Sequence, residues 1–163
     1  MSRALPREWG LVAAALALFA DQGSKFGLLY GAGFLHMIPG QSIAILPFFN
    51  LVMVWNPGVS YGLFAASSAF GTAVLVLVSL AAVIGLGYWL WGMASLSLAV
   101  GVGLVIGGAL GNLIDRLVYG RVADFFHFYG FGYDWYVFNV ADIAITLGAV
   151  AIIYEVVKPQ AEA

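Results

Sequence analysis

Two aspartates, Asp124 and Asp142, are the residues of this chain best suited to acid–base chemistry. They flank one connection between two apolar segments, so folding could bring their carboxyl groups together. Two neighbouring carboxyl groups cannot both ionise easily, and such a pair shares one proton. The ionised member can then take a proton from water while the protonated member donates to a carbonyl oxygen, as in aspartic proteases. The pair predicts amide hydrolysis that needs no metal, whereas Asp142 alone could simply cap a helix.

Other polar residues form pairs with helical spacing. Asp21 lies four residues before Lys25, and Asn112 lies four residues before Arg116, so each pair shares a helix face. Ionisable residues in a membrane helix are costly and point to function. The first pair either contacts a substrate or only orders the site. Arg116 keeps its charge and can bind a carboxylate, carbonyl or phosphate group, whereas Asp115 points elsewhere and is expected to pair locally.

Three further polar residues have simpler explanations. Asn56 precedes Pro-Gly, so it is either a turn former or part of the site. His127 lies among aromatic residues, which is typical of the interfacial belt of a membrane protein. Asp134 is expected to be a solvated loop residue. The chain has no cysteine, which excludes disulfides and thiol chemistry, and its two histidines are too few for a histidine-rich metal centre. No cofactor is expected.

The composition indicates a membrane protein. Of 163 residues, 63% are hydrophobic and 9% are charged, whereas soluble domains carry about 25% charged residues. No charged residue occurs between Lys25 and Asp115. The net charge of −2 is too small to indicate a nucleic-acid partner.

Four segments approach the roughly 20 apolar residues that a spanning helix needs. They cover residues 9–29, 68–91, 95–113 and 140–157. Ser67 or Ser68 and Ser95 are candidate N-caps. The first segment continues into further apolar sequence without a signal-peptide cleavage site, so we expect a retained helix within a single integral-membrane domain over residues 1–163.

Residues 31–64 are apolar but are interrupted by prolines and glycines. The runs 43–49 and 51–55 are rich in β-branched and aromatic residues, which predicts strands. Unpaired strand edges cannot face lipid, so this β-cradle should lie at the membrane surface. The expected fold is mainly α, with four transmembrane helices and, on the outer side, a small β-cradle and a loop or short-helix segment. Residues 125–136 are expected to form a mobile aromatic loop.

Four spans would place nearly all these polar residues at one membrane face and both termini at the other. Because the basic residues near the polar face, Lys25, Arg116 and Arg121, are expected to pair with acidic residues, they should count less in the positive-inside comparison. We therefore expect both termini in the cytoplasm. Gly103, Gly107 and Gly111 have the four-residue spacing of closely packed membrane helices, and Gly108 could act similarly.

Five stretches in this order and spacing resemble the bacterial lipoprotein signal peptidases, or type II signal peptidases. They are D-Q-G-S-K at 21–25, F-N-L-V-M-V-W-N-P-G at 49–58, G-G-A-L-G-N-L-I-D-R at 107–116, G-R-V-A-D-F at 120–125 and F-N-V-A-D at 138–142. Each stretch alone is weak, but the five together cover nearly the whole chain.

The resemblance implies an aspartic endopeptidase of the bacterial inner membrane, with its active site toward the outer face. Such enzymes remove signal peptides from prolipoproteins by cleaving before a diacylglyceryl-modified cysteine. Asp124 and Asp142 match the catalytic positions. The residues that match positions lining or supporting the site are Asp21, Lys25, Asn56, Gly108, Asn112, Arg116, Asn139 and Ala141. Expected partners are the prolipoprotein, membrane lipid and inhibitory macrocyclic peptides such as globomycin, and we expect a monomer.

Two alternatives remain from the residues alone. A non-enzymatic transporter or scaffold could use Asp21, Lys25, Asp115 and Arg116 as an ion path, although the polar residues gather at one face. A metal site could be built from Asp124, Asp142 and Asn139, and a chelator would then abolish activity.

Overall fold

The computed structural model describes residues 5–38, 41–58 and 68–158. In this part of the chain the α-helices are α1 (Pro6–Phe26), α2 (Ala69–Trp91), α3 (Leu96–Tyr119) and α4 (Val140–Val157). The strands are β1 (Ser42–Leu46), β2 (Phe49–Asn56), β3 (Val122–Gly130) and β4 (Tyr133–Asp134). Between α1 and β1 lie a π-helical turn, Gly27–Gly31, and a 3-10 turn, Phe34–His36. The expected mainly helical fold with a small sheet is confirmed.

Helix α3 is the centre of the bundle, packed against α1, α2 and α4. Its glycines permit this closeness, because a side chain at Gly103 or Gly107 would collide with main-chain atoms of α1 at Gly10 or Ala14. Gly108 meets α4 in the same way, at the carbonyl of Ala141. The predicted glycine stripe therefore packs helices closely, as small residues do in membranes.

Adding one methyl group at Gly108 should separate α3 from α4. A Cβ there would lie 2.5 Å from the Ala141 carbonyl oxygen, so we expect Gly108→Ala to destabilise the fold by about 1–3 kcal/mol. Gly85→Ala in α2 is the matched control, since nothing lies within 4 Å of its Cβ position, and it should be neutral or stabilising by about 0.5–1 kcal/mol. Thermal unfolding in detergent measures both, and equal effects would contradict the packing argument.

Three helices, α2, α3 and α4, are long and apolar enough to cross a membrane. Helix α1 falls short because Asp21, Gln22 and Lys25 lower its mean hydropathy. Asp21 and Lys25 are nevertheless buried inside the bundle, whereas Leu16 and Phe19 are exposed. The outward face of α1 is therefore apolar, as a fourth spanning helix requires.

Helix boundaries partly follow the sequence signals. Ser68 and Ser95 are the N-caps of α2 and α3, and their hydroxyl oxygens accept hydrogen bonds from main-chain N–H groups at 3.2 and 3.4 Å. The predicted end of the third helix at residue 113 is wrong, because α3 continues to Tyr119. It ends at Gly120, whose φ of 72° is the left-handed conformation that closes many helices.

The sheet is antiparallel in the order β1-β2-β3-β4. The two strands expected within residues 31–64 are present as β1 and β2, while residues 39–40 and 59–64 of that segment, like Ser67, lie outside the described residues. The prediction of a loop over 125–136 is wrong for residues 125–130, which belong to β3 and pair with β2. In this register Val54 lies opposite Asp124. Pairing with β2 satisfies the main-chain N–H and C=O groups of β3.

Candidate active site

Asp124 and Asp142 line one cavity of about 360 Å³ between the sheet and helices α2, α3 and α4. Asp124 lies on β3, and Asp142 lies in the first turn of α4. The other polar groups include Asn56, Asn112, Arg116, Tyr136 and Thr146, and the apolar wall includes Leu75, Val78, Val105 and Ile145. A second cavity of about 320 Å³ beside β2 also reaches Asp124. The predicted pair therefore lines the same cavity, although the two residues come from different elements.

Two side-chain amides hold the Asp124 carboxyl group, which is 1% exposed. Asn139 donates from Nδ2 to Oδ1 at 2.7 Å, and Asn56 donates from Nδ2 to Oδ2 at 3.0 Å. Asn56 also accepts the Gly58 N–H through Oδ1 at 2.9 Å. It is therefore both the predicted turn former and a partner of Asp124.

Asp142 is held by Asn112 and by the cap of α4. Asn112 donates from Nδ2 to Oδ1 of Asp142 at 3.0 Å, and the main-chain N–H of Asn139 donates to Oδ2 at 3.3 Å. Asn139 in turn accepts the Asp142 N–H through its side-chain oxygen at 3.0 Å. This reciprocal capping box shows that Asp142 does cap its helix, and the same carboxyl group also lines the cavity.

Burial raises the pKa of Asp124 to about 7, and the nearby Asp142 carboxylate raises it in the same direction. The folded protein therefore keeps a proton on Asp124 at pH values where the unfolded chain, with a pKa of about 3.9, has lost it. The stability from this proton is complete below about pH 4 and is lost as the pH rises through about 7.

We accordingly expect the melting temperature in detergent to fall between about pH 5 and pH 8, because folding retains a proton that alkaline solution removes. Asp124→Asn should flatten this dependence, whereas Asp134→Asn, at an exposed carboxylate, should preserve it. A variant at position 124 with the wild-type pH dependence would assign the effect to another group.

Arg116 also lines the cavity. One guanidinium nitrogen donates to the main-chain carbonyl oxygen of Gly58 at 2.9 Å, and another donates to the main-chain carbonyl oxygen of Asn112 at 3.3 Å. Within residues 5–38, 41–58 and 68–158 no carboxylate lies within ion-pair distance of Arg116. Its charge is thus held by neutral carbonyl groups beside the two aspartates. The expectation that the basic residues near the polar face pair with acidic residues is therefore wrong for Arg116.

Asp21 and Lys25 form the predicted pair, with Nζ 2.8 Å from Oδ2, but neither lines the cavity. Lys25 also contacts Asp115 Oδ2 at 2.8 Å and Asn112 Oδ1 at 3.1 Å. The expectation that Asp115 pairs locally is wrong for its ion pair, because its partner Lys25 lies on α1. The Ala141 N–H donates to Asp21 Oδ1 at 3.0 Å. Asp21 and Lys25 therefore lie outside the cavity and connect to its lining through Asn112 and the main chain of Ala141.

Gln22 and Asp115 also lie in the site region, although neither was among the residues matched to positions that line or support the site. Gln22 Nε2 donates to Asp21 Oδ2, Gly111 O and Asp115 Oδ1 at 3.1, 3.1 and 3.2 Å. Both residues lie inside the motif stretches 21–25 and 107–116. Their place within those stretches was the available signal.

His127 and Asp134 lie away from the cavity. His127 Nε2 is 3.5 Å from Asp134 Oδ1, the Asp134 side chain is exposed, and the His127 ring lies against Tyr129. Among the residues that the structure describes, no three His, Cys, Asp or Glu side chains form a group that could hold a metal ion.

Comparison with known proteins gives one consistent result. Residues 13–158 match the family model described as signal peptidase (SPase) II. The lipoprotein signal peptidase of Methylobacterium radiotolerans is 46% identical over 154 residues, covering 94% of this chain and 88% of the relative. That of Nitrobacter hamburgensis is 43% identical over 154 residues, covering 92% of each.

A solved structure described as a bacterial membrane enzyme, determined by the in meso method at 2.3 Å resolution, superimposes with a TM-score of 0.83. It is 27% identical, and the match covers 100% of this chain and 99% of that one. A second structure of the same description at 1.9 Å resolution has a TM-score of 0.78 and 29% identity, covering 93% and 94% of the two chains. Sequence and fold agree that the chain belongs to the signal peptidase II family.

Proposed function

We propose that Asp124 and Asp142 are the catalytic pair of this membrane peptidase, which removes signal peptides from prolipoproteins. The observation that supports this most directly is that both carboxyl groups line one cavity and are held there by asparagine amides. A pair that shares one proton has the two functions that peptide hydrolysis needs.

The proposed reaction follows from this shared proton. The ionised carboxylate takes a proton from water as the water oxygen bonds to the scissile carbonyl carbon, and the protonated carboxyl donates to the carbonyl oxygen. As the tetrahedral intermediate collapses, the carboxyl that took the water proton gives it to the leaving nitrogen and the C–N bond breaks. The other carboxylate takes a proton from a hydroxyl of the intermediate, which restores the singly protonated pair. Arg116 provides a fixed positive charge at the cavity wall for a substrate carbonyl.

The substrate we propose is a prolipoprotein with a diacylglyceryl-modified cysteine, cleaved immediately before that residue. The apolar cavity wall formed by α2, α3 and α4 suits acyl chains or an apolar signal sequence, and the polar end suits the scissile bond. The names of the relatives, lipoprotein signal peptidases, support this substrate class. Membrane lipid and macrocyclic peptides such as globomycin are the other ligands proposed, and the enzyme is proposed to act as a monomer.

We further propose the inner membrane as the location, with both termini in the cytoplasm and the active site toward the outer face. The neutralisation of Lys25 by Asp21 and Asp115 supports this orientation, because a paired lysine contributes little to the positive-inside rule. Arg7 lies over the ring of Trp91 at the other end of the bundle. In the positive-inside comparison it therefore counts as a positive charge on the cytoplasmic side.

The test is cleavage of a purified diacylglyceryl-prolipoprotein, compared with the same protein lacking the lipid. Mass spectrometry should find the new N-terminus at the lipidated cysteine, with little cleavage of the unlipidated form. Asp124→Asn gives the inactive baseline, and Glu155→Gln is the control because Glu155 bonds to Ser95 and Ser97 away from the cavity. Cleavage elsewhere, or loss of activity with a chelator, would contradict the proposal.

A further inference from the structure

Each proposed catalytic aspartate follows an alanine whose main-chain N–H is held by a second, buried carboxylate. Ala123, before Asp124, donates to Asp115 Oδ2 at 3.0 Å. Ala141, before Asp142, donates to Asp21 Oδ1, also at 3.0 Å. Both alanines are 0% exposed. The two catalytic positions are therefore attached to the interior of the bundle in the same way.

One ammonium group joins these two attachments. Lys25 Nζ lies 2.8 Å from Asp21 Oδ2 and 2.8 Å from Asp115 Oδ2. All three side chains are almost fully buried. Lys25 also donates to Asn112 Oδ1, and Asn112 donates to Asp142. The network has one positive and two negative groups, so removing Lys25 would leave two buried carboxylates uncompensated, whereas removing either aspartate would leave an ion pair.

We propose that Asp115 is a positioning residue for the catalytic pair, holding the β3 backbone at Ala123 while Asp21 holds the α4 backbone at Ala141 and Lys25 fixes their separation. This inference rests on the proposed function of Asp124 and Asp142. Asp115 touches neither carboxyl group, so it acts through the main chain.

We call Asp115, Lys25 and Asp21 the clamp. It matters for activity because small displacements of the proposed catalytic aspartates would lower the rate. The two aspartates belong to different elements, and a shift of about 1 Å in a catalytic group can lower the rate about 100-fold. Asp115→Ala should therefore lower kcat about 100-fold, while KM changes less than about threefold because the cavity wall is retained.

Asp115→Asn is the conservative variant. Oδ2 of Asp115 alone makes both the Lys25 contact and the Ala123 contact, so an asparagine that places its oxygen there can keep both. The kcat of Asp115→Asn should accordingly be at least about tenfold higher than that of Asp115→Ala. It also serves as the test where Asp115→Ala fails to fold.

Site-specific amide hydrogen exchange gives a readout that needs no substrate. Asp115→Ala should speed exchange at Ala123 at least about tenfold and leave Ala141 nearly unchanged, because only the first hydrogen bond is lost. Asp21→Ala should do the reverse, and Lys25→Met should speed both. Glu155→Gln, which removes a carboxylate bonded to Ser95 and Ser97, should change neither.

The outcomes separate the clamp from its alternatives. If Asp115→Ala and Asp21→Ala each speed amide exchange equally at Ala123 and Ala141, the structure has loosened generally and the proposal is overturned. An unchanged kcat in Asp115→Ala would also overturn it. If Asp124→Asn remains active, the proposed function fails, but the exchange pattern still tests whether the two alanines are held independently.

Discussion

Asp124→Asn and Asp142→Asn are each expected to lower kcat for prolipoprotein cleavage by at least about 10³-fold. Asparagine keeps the size of the side chain and one of its two acceptor oxygens, but it cannot titrate. The proposed reaction needs one ionised and one protonated carboxyl group at the same time. Either substitution removes one of these forms, so KM should change far less than kcat.

The double variant should be no slower than the slower single variant. Residues that act as a unit give strongly non-additive losses, because the first substitution already abolishes their joint function. Single-turnover cleavage at saturating substrate measures this directly. Losses that multiply would indicate two independent roles and would contradict a shared-proton pair.

Folding can be checked in the same samples. The buried Asp124 carboxyl has its pKa raised to about 7, so ionising it above that pH costs stability. Asp124→Asn should therefore be at least as stable as the wild type at alkaline pH. An inactive but equally stable variant is the pattern expected where activity requires an unfavourable buried charge.

The helical part of this fold could be predicted because its signals are local. Apolar segments of about 20 residues gave the helices, and glycines at 103, 107 and 111 gave their close packing. The two aspartates could be singled out because charged residues are scarce and concentrated around residues 107–142.

The β3 strand could not be predicted, because its partner β2 lies about 70 residues earlier and the pairing is visible only in three dimensions. The same pairing brings Asn56 to Asp124, so the residues alone could place Asn56 in the site but could not identify Asp124 as its partner. Asp115 was misassigned for a related reason. Helical spacing describes neighbours on one helix, whereas Lys25 reaches Asp115 from another helix.

Asn139→Ala is expected to reduce both stability and activity, since Asn139 is hydrogen-bonded to both proposed catalytic residues, Asp124 and Asp142. Loss of the N-cap should cost about 1 kcal/mol, and the buried acceptors left behind should cost about 1–3 kcal/mol more. The Asp124 carboxyl group would lose its 2.7 Å donor. We expect kcat to fall about 100-fold through this misplacement.

Asn139→Ser separates the two roles of Asn139. Serine caps helices as well as asparagine does, but its hydroxyl is too short to reach Asp124 from the cap position. Stability should therefore recover by about 1 kcal/mol while kcat stays low. Thermal unfolding and cleavage rates measure the two effects, and recovery of both would mean that capping is all Asn139 contributes.

The pH dependence of cleavage by Asn139→Ser provides a second, independent readout. The Asn139 amide lowers the pKa of Asp124 by donating to its ionised form, against the larger effect of burial. Removing this donor should raise that pKa further. Because the alkaline limb of the rate profile reports loss of the shared proton, it should move to higher pH in the serine variant. A shift to lower pH would show that Asn139 stabilises the protonated form of the pair instead.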